Sequence, residues 1–258
     1  MSMEIRIPFN NKKVELKIFK FKHINELHWQ KNSLTNNVKF LEGFIQTPGL
    51  NAIEKFISLL LLRSECVDSS ISIDVGVRPT NVDIQYITQS FTELEDIRTT
   101  TTHGEFEFTF DYPSRFCTNS DTLLSVLRKI KLDNTVIELD SLSDVEFKQV
   151  ISNLPPSCLS VITSFIEDNI KSLNFAILPN KLEKQIDFTH PSSAAFIVNM
   201  FKCVSEENYR EYLFLLSKRF SDINFLINCT FYEIEDYIEL YRKENHQQAT
   251  ELQNSIPQ

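Results

Sequence analysis

Cys158 follows Pro155-Pro156-Ser157 at the start of an apolar helical pattern. There the positive end of a helix dipole would lower a thiol pKa and sharpen its nucleophilicity. It is the best nucleophile candidate in the chain, yet Ile162 lies one turn further on the same apolar face, and that spacing favours a buried, inert thiol. His103, His190 and His246 stand isolated in the sequence. Each becomes a general base only if folding brings a nucleophile within hydrogen-bond reach. His23 and His28 are five residues apart, about 140° around a helix, whereas a zinc-binding pair prefers a spacing of four. With no third ligand nearby, no metal site is expected. Asp140, Asp144 and Glu146 resemble a carboxylate cluster, but helix capping and first-turn dipole complementarity account for the charges. Glu233, Glu235, Asp236 and Glu239 fit the wet side of a terminal helix, with Glu239 poised to pair with Lys243 at i,i+4 spacing.

The elements that must position these groups are constrained by composition. A chain of 258 residues with 42% apolar content can bury a sizeable core. Its 26 basic and 35 acidic residues give a formal charge of −9, which repels phosphate backbones, so no nucleic-acid partner is expected. Lys12, Lys13, Lys17, Lys20 and Lys22 are a local basic cluster, and the period-two interleaving with Val14, Leu16 and Ile18 reads as the solvated face of an antiparallel strand. With only four glycines, no phosphate-cradling loop is available, and no cofactor is expected. The five cysteines, Cys66, Cys117, Cys158, Cys203 and Cys229, are odd in number and far apart, which suits reduced buried thiols. The N-terminus lacks a signal-peptide pattern, and Phe56 to Leu62 is too short to span a bilayer; a soluble chain with no membrane partner is expected.

Periodicity sets out an α+β chain of small antiparallel sheets packed with helices, ending in an all-helical C-terminal block. Met3 to Phe21 reads as two strands joined at Asn10-Asn11, because Asn tolerates positive φ. Three helices follow, the strongest over Ile53 to Leu61 with a start signal at Asn51 and Glu54. Strands are expected at Ile71 to Val75, Val82 to Ile87 and Phe106 to Tyr112. The segment Ser90 to His103, with four threonines from Thr99 to Thr102, reads as an irregular loop or an edge strand. Beyond it come a helix at Asp121 to Ile130, a strand at Thr135 to Leu139 and a helix at Ser143 to Leu154. Pro155-Pro156 ends that helix and opens the next. Phe175 to Leu178 and Gln185 to Phe188 are candidate paired strands, and Gln247 to Gln258 is expected to fray. The pattern divides into a mixed strand and helix subdomain (1–112), a central α/β subdomain (113–190) and a helical block (191–258).

In the last third, Ser205-Glu-Glu-Asn opens one amphipathic run and Thr230-Phe-Tyr-Glu233 opens another with a capping box. The second carries Phe231, Ile234, Ile238 and Tyr241 at 3-4-3 spacing, with Tyr237 beside them. Aromatic rings with hydroxyls suit an interface that is exposed before assembly, so Phe231, Ile234, Tyr237, Ile238 and Tyr241 are the candidate partner-binding residues.

Several segments taken together resemble the baseplate hub and tail assembly proteins of T-even-like contractile-tailed bacteriophages. They are Lys20-Phe-Lys-His-Ile-Asn-Glu-Leu27, Phe56-Ile-Ser-Leu-Leu-Leu-Leu-Arg63, Phe108-Thr-Phe-Asp-Tyr-Pro113, Leu142-Ser-Asp-Val-Glu146 and Leu154-Pro155. The closing blocks Tyr212 to Phe220 and Asp222 to Ile234 complete the likeness, which is one of layout along most of the chain. The resemblance implies a non-enzymatic protein of the infected bacterial cytoplasm, a hub subunit or assembly chaperone. Its implied partners are baseplate hub or tape-measure proteins, with self-association also open. The competing expectations are a cytosolic helical adaptor for a host protein and a hydrolase built on Cys158 or a histidine.

Overall fold

The computed structural model describes all residues except 1, 30–32, 76–77, 92–93, 95, 119–124, 170–173, 177–184, 203 and 255–258. The chain opens with a hairpin of β1 (Ser2–Arg6) and β2 (Lys13–Lys17), whose turn places Asn11 at φ 58°. Val14 and Leu16 point into the core while Lys13, Glu15 and Lys17 face water, so the lysine alternation is that of a half-buried strand. The far edge of β2 is closed by backbone bonds from Lys17 N–H to the Phe44 carbonyl (2.8 Å) and from Gln46 N–H to the Glu15 carbonyl (2.9 Å).

Three helices follow: α1 (Phe21–Trp29), α2 (Leu34–Glu42) and α3 (Ala52–Cys66). α3 is apolar on nearly every side and is correspondingly buried along its length. The Asn51 side chain accepts the Glu54 N–H at 2.8 Å and Glu54 Oε2 accepts the Asn51 N–H at 2.9 Å, completing the capping box read from sequence. Glu54 is only 5% exposed, and its charge is answered by Lys12 Nζ at 3.3 Å and by Asn10 Nδ2 donating at 2.8 Å. The hairpin turn and the central helix are thereby joined.

β3 (Ser70–Val75) and β4 (Arg78–Asp83) form a second hairpin. The strand expected over Val82 to Ile87 ends at Asp83, and α4 (Ile84–Gln89) takes its place. Asp83 Oδ1 accepts the Gln85 N–H at 2.7 Å, so this side chain caps a helix in the middle of an alternating pattern. The threonine run is an exposed edge strand, β5 (Thr99–His103), of a four-stranded antiparallel meander with β6 (Phe106–Phe110), β7 (Leu127–Leu132) and β8 (Thr135–Glu138). The helix expected over Asp121 to Ile130 is corrected here: Leu127 to Ile130 lie in β7, and 121–124 fall outside the described residues. Ile130 pairs with Phe108 on one side and Ile137 on the other, and ladder pairing on both edges overrides a local helical spacing.

A 3-10 turn at Leu139–Ser141 leads to α5 (Asp144–Ser152) and α6 (Pro156–Asp168). Ser143 and Glu146 form the expected capping box, and Pro156 occupies the first turn of α6. β9 (Asn174–Ala176) pairs antiparallel with β10 (Gln185–Asp187). The expected extension to Leu178 lies outside the described residues. The chain ends in α7 (Pro191–Phe201), α8 (Glu206–Ser217), α9 (Ile223–Ile227) and α10 (Phe231–Asn254). Of the segment expected to fray from Gln247, the part to Asn254 continues α10, and 255–258 fall outside the described residues. This is the α+β architecture with a helical C-terminal block.

The buried core is continuous across residues 112/113 and 190/191, where the sequence suggests boundaries. Phe19 packs on Phe201 (4.8 Å between centroids), Phe56 on Phe188 (5.3 Å) and Phe110 on Phe165 (4.6 Å). Each such ring contributes roughly 1.5–3 kcal/mol by burial, so long-range aromatic contacts bind the three segments into one body.

Candidate partner-binding face

The candidate residues on α10 do not share one environment. Phe231, Ile234 and Ile238 are 5%, 0% and 3% exposed, and their side is packed against the rest of the chain. Phe231 stacks on Phe21 of α1 (6.0 Å, 18°) and on Tyr212 of α8 (6.3 Å, 14°). The stripe is thus already occupied from within. Tyr237 and Tyr241 flank it and are half-buried. The capping geometry at the start of α10 matches the sequence reading: Glu233 Oε2 accepts the Thr230 N–H at 2.7 Å, and the Glu233 N–H reaches Thr230 Oγ1 at 3.3 Å.

A partly accessible aromatic cluster lies beside that stripe. Phe220, Phe225 and Tyr237 form a three-ring cluster with centroids 6.0, 5.2 and 6.3 Å apart. Tyr237 and Phe225 border a shallow hollow of about 510 Å³, rimmed by Asp222, Asn224, Asn228 and Glu233. Phe225 is 46% exposed and its neighbour Ile223 is 51% exposed. An apolar centre within a polar rim is the composition of a protein-binding patch. Of these residues, Phe220 closes the periodic run of Tyr209, Leu213 and Leu216 that Ser205 opens, and Tyr237 stands beside the α10 stripe. Phe225 and Ile223 escape because α9 has five residues, too few for a periodic stripe. The sequence signal for them is a pair of bulky apolar residues caught between the N-caps Asp222 and Thr230. Asp222 Oδ1 accepts the N–H groups of Asn224 and Phe225 at 2.9 and 3.3 Å, fixing the short helix that displays them.

A second concavity, about 440 Å³, opens where α3, β3, α7, α8 and α10 meet. Arg63, 5% exposed, donates from Nε to the Met200 carbonyl (2.9 Å) and from a terminal nitrogen to the carbonyls of Asp68 (2.5 Å) and Ser70 (2.6 Å). Its role there is to tie backbone segments together. Glu235 stands at the exposed rim, where desolvation and then the Asp68 charge raise its pKa and Arg63 partly opposes them.

The candidates for covalent chemistry are dispersed. Cys158 is 1% exposed within α6. His103 ends the edge strand β5, and His190 caps α7, its Nδ1 accepting the Ser192 N–H at 3.1 Å. His23 and His28 both lie on α1 but serve different contacts. His23 Nδ1 accepts the Lys20 N–H at 2.8 Å, whereas His28 donates from Nε2 to the Val204 carbonyl at 2.6 Å. Asp140 makes a bidentate ion pair with Arg128, and Glu146 caps α5. Among the described residues there is no group of three or more metal-ligating side chains, and no helix is long and apolar enough to cross a membrane. No protein family, curated protein or solved structure matches the chain.

Proposed function

We propose that this protein works by protein–protein contact, without catalysis, in building the tail baseplate hub of a contractile-tailed phage. The observation that supports the contact reading is the Phe220, Phe225 and Tyr237 cluster, of which Phe225 and Tyr237 line an open hollow with polar side chains around it. Rings held in place by the chain's own packing lose little further freedom on binding, which favours them as anchors. The phage assignment rests on the layout resemblance of the sequence. On this reading the chain is made in the infected bacterial cytoplasm, and its partners are hub or tape-measure proteins.

The test is affinity purification of tagged wild type and of Phe225→Asp from infected cells, with the finished particles purified in parallel. Recovery of tail proteins by wild type, lost in the folded variant, supports the proposal. Presence in finished particles marks a hub subunit and absence marks a chaperone. Recovery of host proteins alone overturns the tail assignment in favour of an adaptor.

A further inference from the structure

A third concavity has the opposite electrical character to the chain as a whole. The trough, about 720 Å³, lies between β2, α1 and the end of α2. Lys17, Lys20, Lys22 and Lys39 line it against only two carboxylates, Glu15 and Glu26, in a chain of net charge −9. Its floor is apolar, with Ile18, Phe40 and Phe44 beside His23, and the rings of Phe40 and Phe44 meet edge to face at 5.5 Å. Lysines brought together from a strand, a connecting link and two helices define a concave positive surface. The sequence showed only an alternating strand, because Lys39 joins the others through the fold.

The complementary surface is on the same chain. The outward side of α10 carries Tyr232 and Leu240, 57% and 52% exposed, with Asp236 and Glu239 between them, Glu239 sharing its charge with Lys243 Nζ at 2.6 Å. These positions follow one another at helical spacing opposite the buried stripe of Ile234 and Ile238. The two apolar anchors are eight residues apart, about 12 Å along the axis. The C-terminal helices from Ser205 to His246 hold nine acidic against five basic residues. The molecule is therefore polarised, basic near its first hairpin and acidic on its last helix.

We infer that a second copy of this chain docks the Tyr232, Asp236, Glu239 and Leu240 face of α10 into the Lys17, Lys20, Lys22 and Lys39 trough. The carboxylates meet the lysines, and the two anchors rest on the Phe40 and Phe44 floor. Two copies that exchange these contacts reciprocally close as a dimer, and an unreciprocated contact propagates. The trough adjoins the Phe225 and Tyr237 hollow, because Lys20 Nζ donates to Asn228 Oδ1 at 3.4 Å on its rim, but the two proposals rest on different residues and are tested by different substitutions.

The experiment is sedimentation of the full chain at about 100 µM and about 50 mM salt, where exposed charges are weakly screened, repeated at about 500 mM. Association that weakens with salt is expected. Lys17→Glu with Lys39→Glu should weaken it by about a hundredfold, as should Asp236→Lys with Glu239→Lys, because each places like charges in register. All four positions are exposed, so folding should persist, and circular dichroism checks it. Mixing the two reversed chains should restore association, since the acidic trough of one now fits the basic helix of the other. A wild type that stays monomeric overturns the inference. So do reversals without effect, or a mixture that fails to associate. A monomer that instead takes up heparin through these lysines points to a polyanion ligand and likewise overturns it.

Discussion

The ring of Phe21 at the start of α1 lies against Tyr209 of α8, with centroids 4.3 Å apart and planes inclined by 24°. Phe231 of α10 also stacks on Phe21, with centroids 6.0 Å apart, and the Phe21 N–H donates to the Cys229 carbonyl at 2.8 Å. A residue near the N-terminus thus closes the helical C-terminal block. Phe21→Ala should cost about 3–5 kcal/mol by cavity formation. Urea unfolding followed by far-UV circular dichroism and by tyrosine fluorescence should show one shared, earlier transition. Separate transitions would contradict the continuous core.

Arg63 joins α3 to the last turn of α7 and to the start of β3 through three carbonyls. The guanidinium fork reaches them simultaneously, which an ammonium group at the end of a flexible stem cannot reproduce. Arg63→Lys should therefore destabilise by about 2–4 kcal/mol despite keeping the charge, because buried carbonyls lose their donors. Chemical denaturation checks this, and retained stability in the variant would show that the fork geometry is dispensable.

His23 sets a pH dependence. Burial, then the positive charges of Lys22 and Lys20, lower its pKa from 6.5 to about 4. The unfolded chain binds this proton more readily than the folded one, so stability falls as pH drops from about 6.5 toward 4. The slope from this single group is bounded at about 1.4 kcal/mol per pH unit, and its partial exposure lowers that. Above pH 7 the imidazole is neutral in both states and the effect vanishes. His23→Gln keeps an acceptor for the Lys20 N–H and should flatten the acid limb of a stability profile between those values.

Cys66, Cys117, Cys158 and Cys229 are all buried, and burial pushes the Cys66 thiol up to about 11. In a Cys203→Ser background, iodoacetamide at pH 7.5 should leave these four unmodified in the native protein and alkylate them after denaturation. Peptide mass spectrometry resolves each one. Fast native labelling of Cys158 would revive the nucleophile reading, because it would require an accessible thiolate.

Most local decisions of this chain were settled by its sequence, the Asp83 cap that starts α4 inside an alternating pattern being the exception. Asn51 with Glu54, Ser143 with Glu146 and Thr230 with Glu233 begin helices through bonds between residues three apart, and Asn11 takes the positive φ that its residue type tolerates. Those bonds form wherever the rest of the chain lies, so a reader of residues can find them. The tertiary structure decided the long-range matters. Leu127 to Ile130 became strand because Phe108 and Ile137 offered ladder partners on both sides. The apolar stripe of α10 announced that it would be covered, but Phe21, Tyr209 and Tyr212 covered it from within, and Phe225 and Tyr237 line the open hollow beside it. Periodicity reports which side of a helix avoids water and carries no address for what it meets. The lysine trough was hidden for the same reason: Lys39 is 17 residues from Lys22, and only the packing of α2 beside β2 and α1 brings their charges to one place.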